Sequence, residues 1–353
     1  MTDRPPQKQL PDHIAASLRS AFLCEFATVS AAAVPIDTPV GCFWNRDGTI
    51  SVTTGLAYPA KAERARRNPK VGLLIEGLPD EPLILIAGLA TVRDADIQAN
   101  IDRYLPEISA YWESFSAGYP WSVLREGVHY WSRVIIDVTP VRIWWWDKGS
   151  TDSPPNSWSA GASIAAPPSD PAPGAAASRP IEWPGLPWTE QAEQMMAEAL
   201  PAHLTLLDEA GYPLPFRARS VARTETGFAL ELPEDIPLVL DGKATLCFAG
   251  RSTFVGTVGR VPAGVTMHVE RALPSLPTVR DLDALWSPGS ETRAKLMARL
   301  VEELDRRGQA LPVLPENPPP PSECALLRAQ RSSRVSAALS TEGIDEKGAH
   351  YVR

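Results

Sequence analysis

Apolar residues fall in short runs broken by turn-forming residues, and the same succession of runs occurs twice along the chain. The first series passes from Phe26-Ala27-Thr28-Val29 through Pro35, Asp47-Gly48-Thr49-Ile50, Gly72-Leu73-Leu74-Ile75 and Gly88-Leu89-Ala90-Thr91-Val92. The second passes from Leu204-Thr205-Leu206-Leu207 through Pro213, Thr226-Gly227-Phe228, Thr245-Leu246-Cys247-Phe248 and Gly256-Thr257-Val258-Gly259-Arg260-Val261. Paired landmarks lie 178 residues apart for Pro35 and Pro213, 179 for Gly48 and Gly227, 173 for Leu73 and Leu246, and 168 for Gly88 and Gly256. A spacing that holds and then shrinks in steps reads as a duplication with deletions in the second copy. The lost segment lies around Ala60 to Pro69.

In the first copy, runs rich in Val, Ile, Leu, Thr and Phe alternate with turn signals such as Asn45-Arg46-Asp47-Gly48, which predicts an antiparallel meander. A short helix is expected over Ala60 to Arg67, ending before Asn68-Pro69. A second starts near Asp94 or Asp96 and puts Ile97, Ile101, Leu105 and Ile108 on one face, with Pro106 expected to bend or end it early. The last strand is expected over Trp131 to Trp146. The second copy keeps the strand order, preceded by a helix from Thr189 to Leu200 and followed by one from Ser290 to Arg306, whose Leu296, Leu300, Val301 and Leu304 form an apolar stripe suited to packing on a barrel. The expected fold is mainly β with a few helices, two barrels in tandem.

Composition adds the boundaries. A Pro/Ala/Ser/Gly stretch over 149–181 reads as a linker between a first barrel at 1–148 and a second at 182–275. A helical extension follows over 276–311, then a Pro-rich tail over 312–353, expected to be loosely held, in which Pro318-Pro319-Pro320-Pro321 favours an extended conformation. The formal net charge of −8 argues against a nucleic-acid partner, which clustered Lys and Arg would bind. The longest apolar run, Pro82 to Ala90, is far short of a bilayer span and the start of the chain has no signal-peptide pattern, so a cytoplasmic protein is expected. Cys24, Cys42, Cys247 and Cys324, with His13, His129, His203, His268 and His350, are dispersed at spacings that make no metal signature, and none is expected.

The candidate chemistry lies at the end of one strand. Ser51-Val52-Thr53-Thr54-Gly55 is followed by Lys61 at the start of the short helix. Strand-end hydroxyls, free N–H groups at a helix N-terminus and an ammonium together suit a phosphomonoester. A solvated basic helix face with ordinary strand threonines is the plainer reading of the same residues. Trp112, Trp121, Trp131 and Trp144 to Trp146 are dense enough to cover a flavin or an aromatic substrate, although filling a barrel interface is their more common use.

Taken in order, the Asp47-Gly48 turn, Ser51-Val52-Thr53-Thr54, Lys61, Asn68-Pro69-Lys70-Val71, the apolar strand after it and Gly88-Leu89-Ala90-Thr91-Val92 resemble the FMN-binding split barrel of the pyridoxamine 5′-phosphate oxidase-like superfamily. The resemblance covers Leu18 to Trp146, with a weaker echo from Leu200 to Leu273. It implies that Thr53, Thr54 and Lys61 bind the flavin phosphate, with Pro59 standing where the family has a serine. An arginine that oxidase members carry before the Asp-Gly turn is missing from Ile36 to Phe43, and Asp37 lies near its place, while Pro35-Ile36-Asp37-Thr38-Pro39-Val40 looks more like the flavin- or deazaflavin-dependent reductase branch. The implied function is an FMN-dependent oxidoreductase acting on a small molecule, with the hydride chemistry belonging to the cofactor and no catalytic acid or base identified. Coenzyme F420 in place of FMN, haem held by His129 or His268, and a non-catalytic flavin-binding module are the alternatives. Such sites lie between two barrels of a homodimer, so a tandem chain is expected to form an internal pseudo-dimer or to dimerise. In the second copy Lys243 has a different spacing and no flavin is expected there.

Overall fold

The computed structural model describes residues 10–77, 80–149, 151–161, 164–174, 181–233, 236–261, 264–274 and 281–330. Helix α1 (Asp12–Ser20) precedes β1 (Leu23–Val29), β2 (Pro35–Trp44) and β3 (Ile50–Gly55), and α2 (Ala60–Arg67) leads into β4 (Lys70–Ile75) and β5 (Leu83–Arg93). After α3 (Ile97–Ile108) come two single-turn helices, α4 (Trp121–Leu124) and α5 (Val128–Trp131), then β6 (Arg133–Trp146) and β7 (Asn156–Ser159). The strands run in the order β3-β2-β1-β4-β5-β6-β7, and pairing of β3 with β6 closes the first six into a barrel. Asp96 caps α3 by accepting a hydrogen bond from the Ala99 N–H at 2.9 Å, and Ile97, Ile101, Leu105 and Ile108 are all buried. Pro106 does not end α3, which runs two residues further, and Ser322 N–H donates to its carbonyl at 2.9 Å. The last strand begins at Arg133 rather than Trp131, because Val128 to Trp131 form α5.

The second half opens with α6 (Trp188–Glu198), followed by β8 (Ala202–Leu207), β9 (Pro213–Arg217), β10 (Ser220–Arg223), β11 (Gly227–Glu231), β12 (Gly242–Phe248), β13 (Ser252–Val261) and β14 (Gly264–Ala272). Its sheet, β10-β11-β14-β13-β12-β8-β9, forms a half-barrel with the partners of the first barrel in the same order. Strands β9 and β10 stand where β2 alone stands, and the Ala218 and Arg219 N–H groups between them still bond to Ala202 and Glu231. The register breaks recur as well. A bulge falls between Ala87 and Gly88 where β5 meets β6, and another between Val255 and Gly256 where β13 meets β14, at the 168-residue spacing of the sequence pattern. Both glycines are required there, since a Cβ on Gly88 would lie 2.4 Å from the Val138 side chain and one on Gly256 1.9 Å from the His268 carbonyl.

The barrels pack face to face through β1, β2 and β4 of one and β8, β9 and β12 of the other. Leu74, Leu85, Trp146, Leu214 and Phe216 form an apolar cluster there, with the Trp146 and Phe216 rings edge to face at 5.4 Å. Two lysines mark an approximate two-fold relation. Lys70 opens β4 and donates to the Ala210 carbonyl in the turn between β8 and β9, at 2.5 Å; Lys243 opens β12 and donates to Ala32 in the turn between β1 and β2, at 2.8 Å. Lys243 is thus the counterpart of Lys70, not of Lys61.

The segments outside the sheets close on the first barrel. Where a loose linker was expected, residues 164–174 follow the edge of β5 beyond its pairing with β4. Thr91 Oγ1 donates to the Pro167 carbonyl at 2.8 Å, Val92 N–H to Ser169 Oγ at 2.9 Å, and the Asp170 carboxylate accepts from the Asp94 and Ala95 N–H groups. Helices α7 (Leu282–Trp286) and α8 (Glu291–Arg307) also belong to the first barrel's core through Trp286, Leu296, Leu300 and Leu304; Val301 is 46% exposed and lies off the stripe. Glu303, fully buried on α8, is surrounded by Arg299, Arg306 and Arg307, and Arg307 reaches Asp94 at 3.0 Å. Residues 312–330 lie along α3 in place of the loose tail expected, with Trp121 Nε1 donating to the Pro315 carbonyl at 3.1 Å and Arg328 paired with Glu107 over the Phe43 ring. The rest of that expected tail, 331–353, falls outside the described residues.

Candidate anion site

Strand β3 carries the two predicted threonines on opposite faces, as adjacent strand residues must be. Val52 and Ile50 belong to the barrel core, so Thr54 points inward with them, its hydroxyl 3.5 Å from the Tyr58 carbonyl. Thr53 points outward on the face that holds Arg133, which pairs with Gly55 in the ladder. Tyr58 lies on that glycine, where a Cβ would come within 2.9 Å of its ring. The chain then turns at Pro59 into α2, with no side chain capping the helix. The first-turn N–H groups of α2 therefore lack the cap that a serine at Pro59 would supply.

The cations of α2 divide into two sets. Arg66 pairs with Asp94 at 2.8 Å and lies 3.7 Å from Glu63, on the side that faces α8. Lys61, Arg64 and Arg67 have no carboxylate within 4.0 Å among the described residues. Arg64 Nε donates to Thr28 Oγ1 at 2.8 Å, and Arg67 to the Val29 carbonyl at 3.4 Å, both at the end of β1. Burial, with the Arg64 and Arg133 charges beside it, pulls the Lys61 ammonium from 10.5 to about 8, an effect that Cys247 of the second half-barrel opposes. Burial and Arg67 pull Arg64 down to about 10. A fourth cation, Arg133, is 7% exposed and packed over Tyr130 at 4.0 Å and Tyr104 at 5.1 Å, and its Nε has no partner. Burial works against its charge, yet Tyr104, Tyr130 and Tyr58 hold its affinity for the proton above the ordinary value.

Half-buried cations without carboxylates beside a helix N-terminus are suited to receive an anion. Thr53 lies on the face of β3 that carries Arg133, and Thr54 on the opposite, inward face. Arg64 and Arg133 were not singled out from the sequence. Arg64 is one of four basic residues of α2, and only the pairing of Arg66 separates them; for Arg133, the one local signal is its position after the aromatic run Tyr130-Trp131. In the second half-barrel the 178-residue spacing puts Glu231 and Leu232 in the places of Thr53 and Thr54, and no helix lies among the described residues between β11 and β12.

The other predicted positions do not join this group. His129 is 1% exposed, held low at about 4 by burial and by Arg293 and Arg133, whereas His268 is exposed on β14 of the second half-barrel. Trp131 packs against Trp121, Trp286 and Phe115 in the core, and Asp37 faces the second half-barrel, where it accepts a hydrogen bond from Thr245 at 3.0 Å. Two cavities flank α3, one lined by Asn45, Ser51, Arg103 and Glu107 and the other by Leu105, Leu314 and Pro319; none of the α2 cations lines either.

No family model matches the chain, and no curated protein matches it. Among solved structures it is similar to a candidate pyridoxamine 5′-phosphate oxidase of Listeria innocua, 25% identical over 38% of this chain and 97% of that one, with a TM-score of 0.29. It is similar also to a pyridoxamine 5′-phosphate oxidase-related, FMN-binding protein of Nostoc punctiforme, 18% identical over 39% of this chain and 86% of that one, with a TM-score of 0.30. A third is an F420 reductase, 20% identical over 38% of this chain and 98% of that one, with a TM-score of 0.29. Each corresponds to about one barrel's length of this chain.

Proposed function

We propose that the first barrel binds the phosphate of FMN and that the chain is an FMN-dependent oxidoreductase acting on a small molecule. The observation that carries this reading is Lys61 at the start of α2, with Arg64 and Arg133 within electrostatic reach of it and no carboxylate within 4.0 Å of any of the three among the described residues. Lys61 and the first N–H groups of α2 would hold the phosphate, Thr53 would add a hydroxyl, and Arg64 and Arg133 would supply further positive charge. When bound, the flavin supplies the hydride chemistry. The second half-barrel, packed on β1, β2 and β4, takes the place of a partner subunit and restricts water at the groove. Coenzyme F420 is the second reading, favoured by the Pro35 to Val40 segment and by Asp37, whose carboxylate is turned to Thr245 where an oxidase would present an arginine. Haem held by His129 or His268 is disfavoured, because His129 is packed in the first barrel's interior at 1% exposure and His268 stands exposed on β14. No described helix is long and apolar enough to cross a membrane; a cytoplasmic location belongs to this proposal.

Lys61→Ala is expected to weaken FMN binding by about 1.5–3 kcal/mol, the loss of a hydrogen bond to a charged group. Fluorescence titration of FMN measures it, and an unchanged affinity would place the phosphate elsewhere. The same lysine sets a pH dependence. FMN affinity should fall as pH rises through about 8, where Lys61 loses its charge, while the phosphate stays doubly charged because its second pKa is near 6. Stability of the ligand-free protein moves the other way. The unfolded chain, with its ordinary lysine at 10.5, binds more protons between about 8 and 10.5, so folding is favoured as pH rises across that window. Titrations at about pH 7 and about pH 9 with no difference in affinity would remove Lys61 from the site.

A further inference from the structure

The face where the barrels meet also holds a compact set of polar side chains that the flavin reading does not use. On the first barrel, Glu25 of β1 and Asp37 of β2 lie on the same face, since Glu25 pairs with Pro39 and Asp37 with Ala27 in the ladder. Opposite them, His203 of β8 pairs directly with Cys247 of β12, and Thr205 with Thr245. Glu25 is 4% exposed, and Asp37, Cys247 and His203 are fully buried. One carboxylate oxygen each from Glu25 and Asp37 and the Cys247 sulfur all lie within 4.8 Å of one another.

We propose that Glu25, Asp37 and Cys247 form a binding site for a divalent cation of the zinc class, buried between the two barrels. One observation besides the cluster itself points to a cation. Glu25 Oε2 and Asp37 Oδ2 are buried without any hydrogen-bond partner, as is His203 Nδ1. Buried carboxylate oxygens left in this way are costly unless a proton or a cation neutralises them. His203 lies beside the cluster, its Nε2 2.8 Å from Glu76 Oε2 and its Nδ1 3.4 Å from Glu25 Oε1, so the imidazole sits between two carboxylates. One sulfur and two carboxylate oxygens, with a fourth position open to water, make a mixed donor set that suits zinc better than the all-oxygen preference of calcium or magnesium. The donors come from positions 25, 37 and 247, a spacing that resembles no metal signature in the sequence.

The alternative is that the cluster is neutralised without a metal, by a protonated His203 that, against the pull of burial, Glu25 and Glu76 raise to about 9 and by protons on the carboxyls, with burial pushing Glu25 up to about 8 and Asp37 to about 6. Zinc titration of the full chain, first dialysed against a chelator, separates the two. The expected result is one zinc bound per chain, with affinity lowered roughly 100-fold or more in Cys247→Ser and in Glu25→Gln. Cobalt in place of zinc should give a thiolate-to-cobalt charge-transfer absorption in the unaltered protein that Cys247→Ser abolishes. Far-ultraviolet circular dichroism checks that each variant is folded, and if Cys247→Ser is not, the cobalt spectrum of the unaltered protein and the zinc affinity of Glu25→Gln decide. No stoichiometric zinc in the unaltered chain, cobalt bound without a thiolate band, or zinc affinity unchanged in the folded variants would overturn the site and leave the cluster to protons. None of these readouts involves a flavin.

Discussion

Trp286→Ala is expected to lower the stability of the protein by about 3–5 kcal/mol, the usual cost of truncating a fully buried large aromatic. Trp286 is 0% exposed and comes from α7, at the far end of the chain from the barrel it enters. Its ring lies 4.8 Å from that of Tyr130, 5.7 Å from Trp131 and 6.4 Å from Phe115, and its Nε1 donates to the Phe115 carbonyl at 2.7 Å. Truncation would leave a cavity among three aromatic rings and an unpaired carbonyl, and it would remove the attachment of the last helices to the first barrel. Urea unfolding measures the change through the midpoint. A loss below about 1 kcal/mol would contradict the docking of α7 and α8 on that barrel.

Gly72→Ala is expected to cost about 3 kcal/mol, at the upper end of what overpacking in a closed interior does. A Cβ on Gly72 would lie 1.7 Å from the carbonyl oxygen of Pro213 and 2.9 Å from its carbonyl carbon. Both are backbone atoms of β9, so no side chain can move aside, and β4 and β9 must separate. The separation would open the face that carries Leu74, Leu214 and Phe216. Gly259→Ala is the control, because nothing lies within 4 Å of a Cβ there, and its effect should stay within about 0.5 kcal/mol. If the two substitutions cost the same in thermal unfolding, the barrels do not meet in this way.

Much of the fold was legible because a strand's alternation and a turn's chemistry are local. The landmark spacings matched the later pairing down to the bulges at Gly88 and Gly256, where only a glycine fits against the Val138 side chain and the His268 carbonyl. The apolar face of α3 was legible for the same reason. What was not legible depends on partners distant in sequence. The stripe on α8 said that Leu296, Leu300 and Leu304 pack on a barrel, but nothing local said that it is the first, which is decided by Trp286 and by the pairing of Arg307 with Asp94. The stretch over 164–174 looked unstructured because it is poor in aliphatic residues; its order comes from backbone and Asp170 hydrogen bonds to an open strand edge. At the candidate site, the spacing pointed to Lys61 but joined Thr54 to it, although strand alternation turns that side chain inward. The role of Arg133 follows only from its stacking on Tyr104 and Tyr130, and that of Arg64 from the pairing that removes Arg66.

The central claim is that the first barrel recognises the phosphate of a flavin through Lys61 and its neighbouring cations. Comparing FMN with riboflavin, which has the same ring system and no phosphate, tests it directly. Equilibrium titration of the full chain with each should give FMN an advantage of about 1.5–3 kcal/mol, the worth of a charge-assisted hydrogen bond. Equal affinity for the two, or binding of neither, would contradict it.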